Sequence, residues 1–203
     1  MKAKVAGIVF LIGSLFYLIG EAISATFFNA PLIDTYLFHT ISELGIPNGN
    51  SPLFWLMNSA FIVSGLSLCF GNFYKFKDFV IKRKPAFYIL TLISSLGVII
   101  VGLIHGGNPL TSGYHTLGAI MAILGGNILL ILISRSMNKF EIYQKITLIL
   151  GVIGLMAFWI MFFIMENPYL SVFERLSVYS LILWCFSTGF YLATKNLNSW
   201  TLT

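Results

Sequence analysis

Residues 146–165 have the sequence ITLILGVIGLMAFWIMFFIM, a run of twenty residues without a charged side chain. A helix of that length rises about 30 Å, which matches the thickness of the hydrocarbon core of a bilayer. The run is apolar on nearly every side, whereas a helix on the surface of a soluble protein has one polar face. It therefore predicts a membrane-spanning helix.

Five more segments share this pattern, so we predict six spans. They comprise residues 5–27, 53–71, 86–104, 116–134, 146–165 and 176–193. The strands of a transmembrane barrel alternate apolar with polar residues, and these segments do not. We expect an all-α fold, a six-transmembrane-helix bundle formed by a single polytopic domain over residues 1–203. Lys2 and Lys4 before an apolar run also fit a signal peptide, but the run is long for one and we expect the first span to be retained.

The composition of the chain excludes a soluble domain. Apolar residues make up 58% of the chain and charged residues 9%, and the mean hydropathy is +0.90. Soluble domains carry roughly 25% charged residues. The net charge of +5 would suggest nucleic acid as the partner of a soluble protein. Here most basic residues flank apolar spans, so we predict no nucleic acid partner and expect membrane lipids instead.

The distribution of basic residues predicts the orientation. If the amino terminus lies inside, eleven of the twelve Lys and Arg residues fall on the inner side and Arg175 alone on the outer side. Cytoplasmic loops of membrane proteins are enriched in Lys and Arg. We therefore expect an integral cell-membrane protein with both termini in the cytoplasm. The outer side then carries most residues capable of acid–base or ligand chemistry: Glu21, Asp34, His39, Glu43, His105, His115, Glu166 and Glu174.

The longest outer loop contains the sequence DTYLFHTISELG, from Asp34 to Gly45. Aspartate commonly caps the amino terminus of a helix and glycine commonly follows its carboxyl terminus, so we predict one short amphipathic surface helix here. His39, Ser42 and Glu43 have the spacing i, i+3 and i+4 and would share one face of that helix. This face is either solvated or forms one side of a polar pocket in which Glu43 orients His39.

Two histidines flank the glycine-rich loop between the third and fourth spans: His105 ends one span and His115 begins the next. The glycines permit a tight turn that would bring the two imidazoles together. A positive charge at a helix amino terminus is unfavourable, which favours a neutral His115. With His39 the pair could bind a divalent metal such as zinc, or all three are interfacial polar residues. The candidate catalytic residues are His39, Ser42, Glu43, His105 and His115.

The third outer loop contributes Arg175, which lies where the orientation rule disfavours a basic residue. It either pairs with Glu166 or Glu174, or presents its planar guanidinium to a phosphate or carboxylate of a ligand. Ser171 and Glu174 have the spacing of a capping box at the start of the sixth span. The candidate ligand-binding residues are Arg175, Glu174 and Glu166.

Three short motifs occur in order along the chain: HTISELG at 39–45, HTLGA at 115–119 and ERLSVY at 174–179. The first resembles S/T-H-x-I-S-x-L-G, the second H-x-x-x-A after a glycine-rich turn, and the third E-R-x-x-x-Y at the start of the last helix. Together they resemble an uncharacterised six-span membrane family catalogued as domain of unknown function 998. The resemblance covers all six spans and implies no established activity.

Two classes of function remain open at this point. The first is a non-enzymatic accessory or lipid-binding protein, with a membrane protein or a second copy of itself as a partner. The second is a membrane-embedded enzyme, metal-dependent or not, that acts on a lipid head group. A small transporter is a further alternative, although no broken helix or midplane charge is visible in the spans. A transmembrane haem protein is disfavoured because all three histidines lie at one depth.

Overall fold

The computed structural model describes residues 1–47, 50–137, 140–164 and 167–194. Within these ranges the chain forms eight α-helices, one turn of 3-10 helix and no strand. The helices are α1 (Lys2–Thr26), α2 (Leu32–Phe38), α3 (Ile41–Leu44), α4 (Phe54–Tyr74), α5 (Lys84–Leu103), α6 (Ser112–Ser136), α7 (Glu141–Phe163) and α8 (Leu170–Thr194), and the 3-10 turn is Phe76–Asp78.

Six of these helices are long and apolar enough to cross a membrane, and they coincide with the six predicted spans. The chain is therefore a multi-pass membrane protein, and the prediction of an all-α bundle is confirmed. The largest difference lies in the last span, because α8 begins at Leu170 rather than near residue 176. Its first two turns contain Glu174 and Arg175, whose charged side chains lie outside the apolar run from which the span was predicted. The cytoplasmic location of the termini stays a prediction.

The six long helices form a closed ring in which α1, α4, α5, α6, α7 and α8 each pack against the next, and α8 returns to α1. Glycines allow the closest approaches. A Cβ atom on Gly97 of α5 would lie 2.4 Å from the backbone nitrogen of Ala122 on α6. One on Gly7 of α1 would lie 2.6 Å from the backbone nitrogen of Ala193 on α8. Small residues serve close helix packing in membrane proteins generally.

The connection between α1 and α4 forms two short helices, so the prediction of one surface helix from Asp34 to Gly45 is wrong. The helical path stops at His39, whose backbone is extended (φ −109°, ψ 129°), and starts again after Thr40. The reason is local: Thr40 and Glu43 form a capping box that fixes a new helix start. Asp34 lies inside α2 and caps nothing, whereas Gly45 does follow the end of α3.

The end of the ring that carries α2, α3 and the loop between α5 and α6 is here named the α3 end. Its interior is a hydrophobic cluster to which α1, α3 and α4 contribute. Ile41 and Leu44 of α3 are 1% and 0% exposed. Because α3 is part of this core, its polar residue Ser42 is carried in among the long helices.

Candidate functional site at the α3 end

The carboxylate of Glu174 bonds α8 to α3. The backbone N–H of Ile41 donates to Oε2 at 2.6 Å, and the hydroxyl of Ser42 lies 3.2 Å from Oε1. Glu174 is 8% exposed, so these donors take the place of water. The predicted capping box of Ser171 and Glu174 is wrong, because the hydroxyl of Ser171 donates to the carbonyl of Leu37. The start of α8 therefore holds α2 and α3 rather than capping itself.

His115, near the start of α6, lies against the same serine. Its Nδ1 is 2.6 Å from the carbonyl oxygen of Ile104, and since a carbonyl only accepts, Nδ1 carries a hydrogen. Its Nε2 is 3.1 Å from Oγ of Ser42. A Cβ atom on Gly106 would lie 3.2 Å from Cδ2 of the ring, so the glycine lets the loop pass close over the imidazole. Both ring nitrogens thus have partners inside the protein.

The hydroxyl of Ser42 has one hydrogen and two neighbours able to accept it. If it donates to Nε2 of His115, the contact with Glu174 requires a proton on the carboxyl group. If it donates to Glu174, Nε2 must carry a proton and donate to Oγ. The two arrangements hold the same number of protons and differ only in their positions. Glu174, Ser42 and His115 therefore form a chain of hydrogen bonds along which a proton can pass.

His39 and Glu43 form a pair beside this chain, with 2.7 Å between Nδ1 and Oε2. The other carboxylate oxygen of Glu43 accepts from the N–H and the hydroxyl of Thr40, which completes the capping box of α3. The side chains of His39 and Glu43 are 32% and 40% exposed. The predicted contact between them is present, and it shapes α3 without joining the hydrogen-bond chain of Ser42.

Arg175 is buried and pairs with Glu21 of α1. Its Nε lies 3.0 Å from Oε1, and the two side chains are 6% and 1% exposed. Nη1 donates to the carbonyl oxygens of Tyr36 and His39 at 3.1 and 2.7 Å, and the guanidinium lies 4.8 Å from the centre of the Tyr36 ring. The prediction that Arg175 pairs with Glu174 is wrong, because that carboxylate accepts from α3. Arg175 instead joins α8 to α1 and to the segment before α3.

Glu21 is the residue of this region that the sequence analysis did not select as a site residue. Tyr179 donates to its Oε2 at 3.0 Å, so both carboxylate oxygens have donors. A lone acidic residue inside an apolar span is a usable signal, because it requires a partner within the bundle. Glu166, the other predicted partner of Arg175, lies outside the described residues.

The predicted metal site built from His39, His105 and His115 is wrong. Among the residues that the structure describes, no three His, Cys, Asp or Glu side chains are grouped so that they could hold a metal ion. His115 uses both ring nitrogens for hydrogen bonds within the protein. Nδ1 of His105 is buried and has no hydrogen-bond partner among the described residues. The glycine-rich loop brings His115 to Ser42 rather than three imidazoles to one point.

A cavity begins at Ser42 and Glu174 and continues into the ring. Counted as the space open to the centres of water molecules, its volume is about 50 Å³. Its wall is mostly apolar, and on α8 the lining residues lie on one face over three turns: Glu174, Ser177, Val178, Leu181, Ile182 and Cys185. At a rise of 1.5 Å per residue this face is about 16 Å long. The polar end of the cavity therefore coincides with the hydrogen-bond chain of Ser42.

Comparison of the sequence with known proteins identifies its family. The family model described as "Protein of unknown function (DUF998)" matches residues 8–191. The chain belongs to this family. No curated protein and no solved structure matches it. In this DUF998 protein the three sequence motifs meet at one place, because Ser42 of HTISELG, His115 of HTLGA and Glu174 of ERLSVY are joined by hydrogen bonds.

Proposed function

We propose that this protein binds a single-chain amphiphile, such as a fatty acid, a lysolipid or one acyl chain of a lipid, inside its helix ring. The polar group of the ligand lies at Ser42 and Glu174, and its hydrocarbon chain lies in the cavity. The observation that carries the proposal is the cavity itself, which has Ser42 and Glu174 at one end and a wall that is mostly apolar. Ligand pockets commonly combine apolar walls with a few placed polar groups.

The dimensions of the cavity support a single chain. If the volume of about 50 Å³ is taken as an even channel along the roughly 16 Å of α8 that lines it, the channel is roughly 2.4 Å in radius once the radius of water, about 1.4 Å, is added. That width is comparable to the half-width of an extended hydrocarbon chain. Two chains side by side do not fit in it.

An unpartnered polar atom in the wall also supports a ligand. Tyr17 lines the cavity and is 1% exposed, and its hydroxyl has no hydrogen-bond partner among the described residues. A buried hydroxyl without a partner costs about 1–3 kcal/mol. A carboxyl, hydroxyl or ester oxygen of a bound amphiphile would remove that cost.

The location follows from the same proposal. The bias of Lys and Arg residues predicts termini in the cytoplasm and an α3 end at the outer face of the cell membrane. The polar group would then bind at the level of the outer leaflet, with membrane lipids as its source. Candidate site residues from the sequence divide accordingly: Ser42 and Glu174 line the cavity and would contact the ligand, His115 contacts Ser42 from behind, and His39, Glu43 and Arg175 hold the surrounding elements.

The experiment is lipid analysis of the purified protein with two matched variants. Ala119 lines the cavity one helical turn beyond His115, whereas Ala22 is exposed on α1. We expect single-chain amphiphiles to co-purify with the wild type and with Ala22→Phe. We expect them to be strongly reduced in Ala119→Phe, because the phenyl group of the new side chain would fill the channel. Equal lipid content in both variants, with both folded, would contradict the proposal.

A further inference from the structure

Among the described residues, Ser42 carries the only hydroxyl that is hydrogen-bonded to an imidazole. We infer that Ser42 is an acyl-accepting nucleophile, that His115 is its general base, and that the protein cleaves or transfers the acyl group of single-chain esters. This inference rests on the proposed function, since the cavity supplies the binding of the acyl chain.

The geometry matches the requirements for an activated serine. A nucleophile and its base lie within about 2.6–3.2 Å of each other, and a third group orients the base. Here Oγ of Ser42 is 3.1 Å from Nε2 of His115, and the carbonyl of Ile104 is 2.6 Å from Nδ1. The carbonyl of Ile104 fixes the hydrogen on Nδ1, so that the lone pair of Nε2 points at the hydroxyl.

The position of Ser42 selects the substrate class. Ser42 lines the polar end of the cavity, and the apolar wall continues from there for about 16 Å. An acyl chain lying in the cavity would bring its carbonyl carbon to the level of Oγ. A long-chain ester is therefore favoured over a short one, and its alcohol part lies outside the cavity.

The reaction balances with water as the second substrate. Oγ of Ser42 bonds to the acyl carbon while Nε2 of His115 takes the hydroxyl proton. The ester C–O bond breaks, and the leaving alkoxide takes the proton from Nε2. Water then attacks the acyl-serine and gives its proton to Nε2, the serine ester bond breaks, and the proton returns to Oγ. The products are an alcohol and a carboxylic acid, and an acceptor alcohol in place of water gives acyl transfer.

Glu174 acts on this pair as a positioning residue. Its Oε1 lies 3.2 Å from Oγ of Ser42, while its other oxygen is held by the N–H of Ile41. It therefore fixes the serine at the start of α3 and competes with His115 for the hydroxyl hydrogen. We expect Glu174→Gln to change the pH profile of serine reactivity, which a purely structural role would leave in place.

The test uses decyl fluorophosphonate, which reacts with activated serines, on the full chain in detergent or in nanodiscs. We expect covalent labelling of Ser42, located by mass spectrometry of the peptide, and faster labelling than with ethyl fluorophosphonate because the decyl chain occupies the cavity. Hydrolysis of p-nitrophenyl decanoate should exceed that of the acetate. Ser42→Ala should abolish both, and His115→Gln should slow labelling by about 100-fold or more.

The matched control is Ser180→Ala, because Ser180 is another buried serine, 3% exposed, whose hydroxyl donates only to a backbone carbonyl on its own helix. It should label like the wild type. If the wild type binds single-chain amphiphiles and Ser42 is not labelled, the inference is overturned and the proposed function stands. If it neither binds nor reacts, both fall. Labelling that His115→Gln leaves unchanged would overturn the role of the base, and wild-type labelling alone decides the nucleophile if a variant does not fold.

Discussion

Neutralising Glu21 should destabilise the protein far more than neutralising an exposed glutamate in an ion pair of similar length. Glu21→Gln leaves the guanidinium of Arg175 buried without its counter-charge, since the two side chains are only 1% and 6% exposed. Breaking a buried pair by removing one partner costs about 3–5 kcal/mol. An unpaired charge inside a membrane-embedded bundle is poorly solvated, which favours the upper part of that range.

The matched control is Glu141→Gln on α7. Glu141 and Lys145 lie 2.7 Å apart, but their side chains are 80% and 68% exposed. Exposed pairs contribute about 0–1 kcal/mol, so this substitution should be nearly neutral. Both variants remove one carboxylate and keep the shape of the side chain, and they differ mainly in burial.

The assay is reversible unfolding by SDS in mixed micelles, followed by circular dichroism. A second measurement uses the double variant Glu21→Gln/Arg175→Met, in which both charges are removed. We expect it to lose less than the sum of the two single variants, by about 0.5–3 kcal/mol, as residues in direct contact do. If Glu21→Gln costs no more than Glu141→Gln, the reasoning from burial is refuted.

Three other predictions test separate parts of the structure. Gly113→Cys, at the α3 end, should react with a membrane-impermeant thiol reagent from outside intact cells and Lys82→Cys should not; the reverse pattern would move the site to the cytoplasm. Cys185→Trp, which fills the deep end of the cavity, should shorten the acyl chains that co-purify without abolishing binding, and unchanged chain lengths would contradict the channel. Gly45→Ala should cost about 1–3 kcal/mol, because its Cβ would lie 2.3 Å from Oδ1 of Asn58, whereas Gly113→Ala, with nothing within 4 Å, should be neutral or stabilising; equal effects in unfolding experiments would refute the packing argument.

The six spans could be predicted from the sequence because membrane insertion depends on local composition. Every residue of an apolar run contributes to the signal, whichever neighbours it later meets. Only the polar ends were misplaced, as at α8, where Ser171 and Glu174 belong to the helix but not to the apolar run. The short helices differ from the prediction for another reason. The capping-box spacing of Thr40 and Glu43 is visible in the sequence, and the helix start that it fixes interrupts the single longer helix that was predicted.

The candidate site was predicted at the level of residues but not of partners. Ser42, His115 and Glu174 were all selected, yet their mutual contacts depend on how α3, α6 and α8 pack, which no local pattern encodes. The histidines illustrate this, because a turn that permits two imidazoles to meet does not require it, and the loop instead places His115 on the carbonyl of Ile104. Glu21 was missed because its partner is 154 positions away in the chain.

The 154 positions between Glu21 and Arg175 affect how the protein is made. Glu21 enters the membrane with the first helix, whereas Arg175 arrives with the last, and a ribosome adding about 5–20 residues per second needs roughly 8–30 s to cover the interval. During that time the first helix carries an acid with no counter-ion. The ion pair that joins the two ends of the ring can therefore form only after α8 has been inserted.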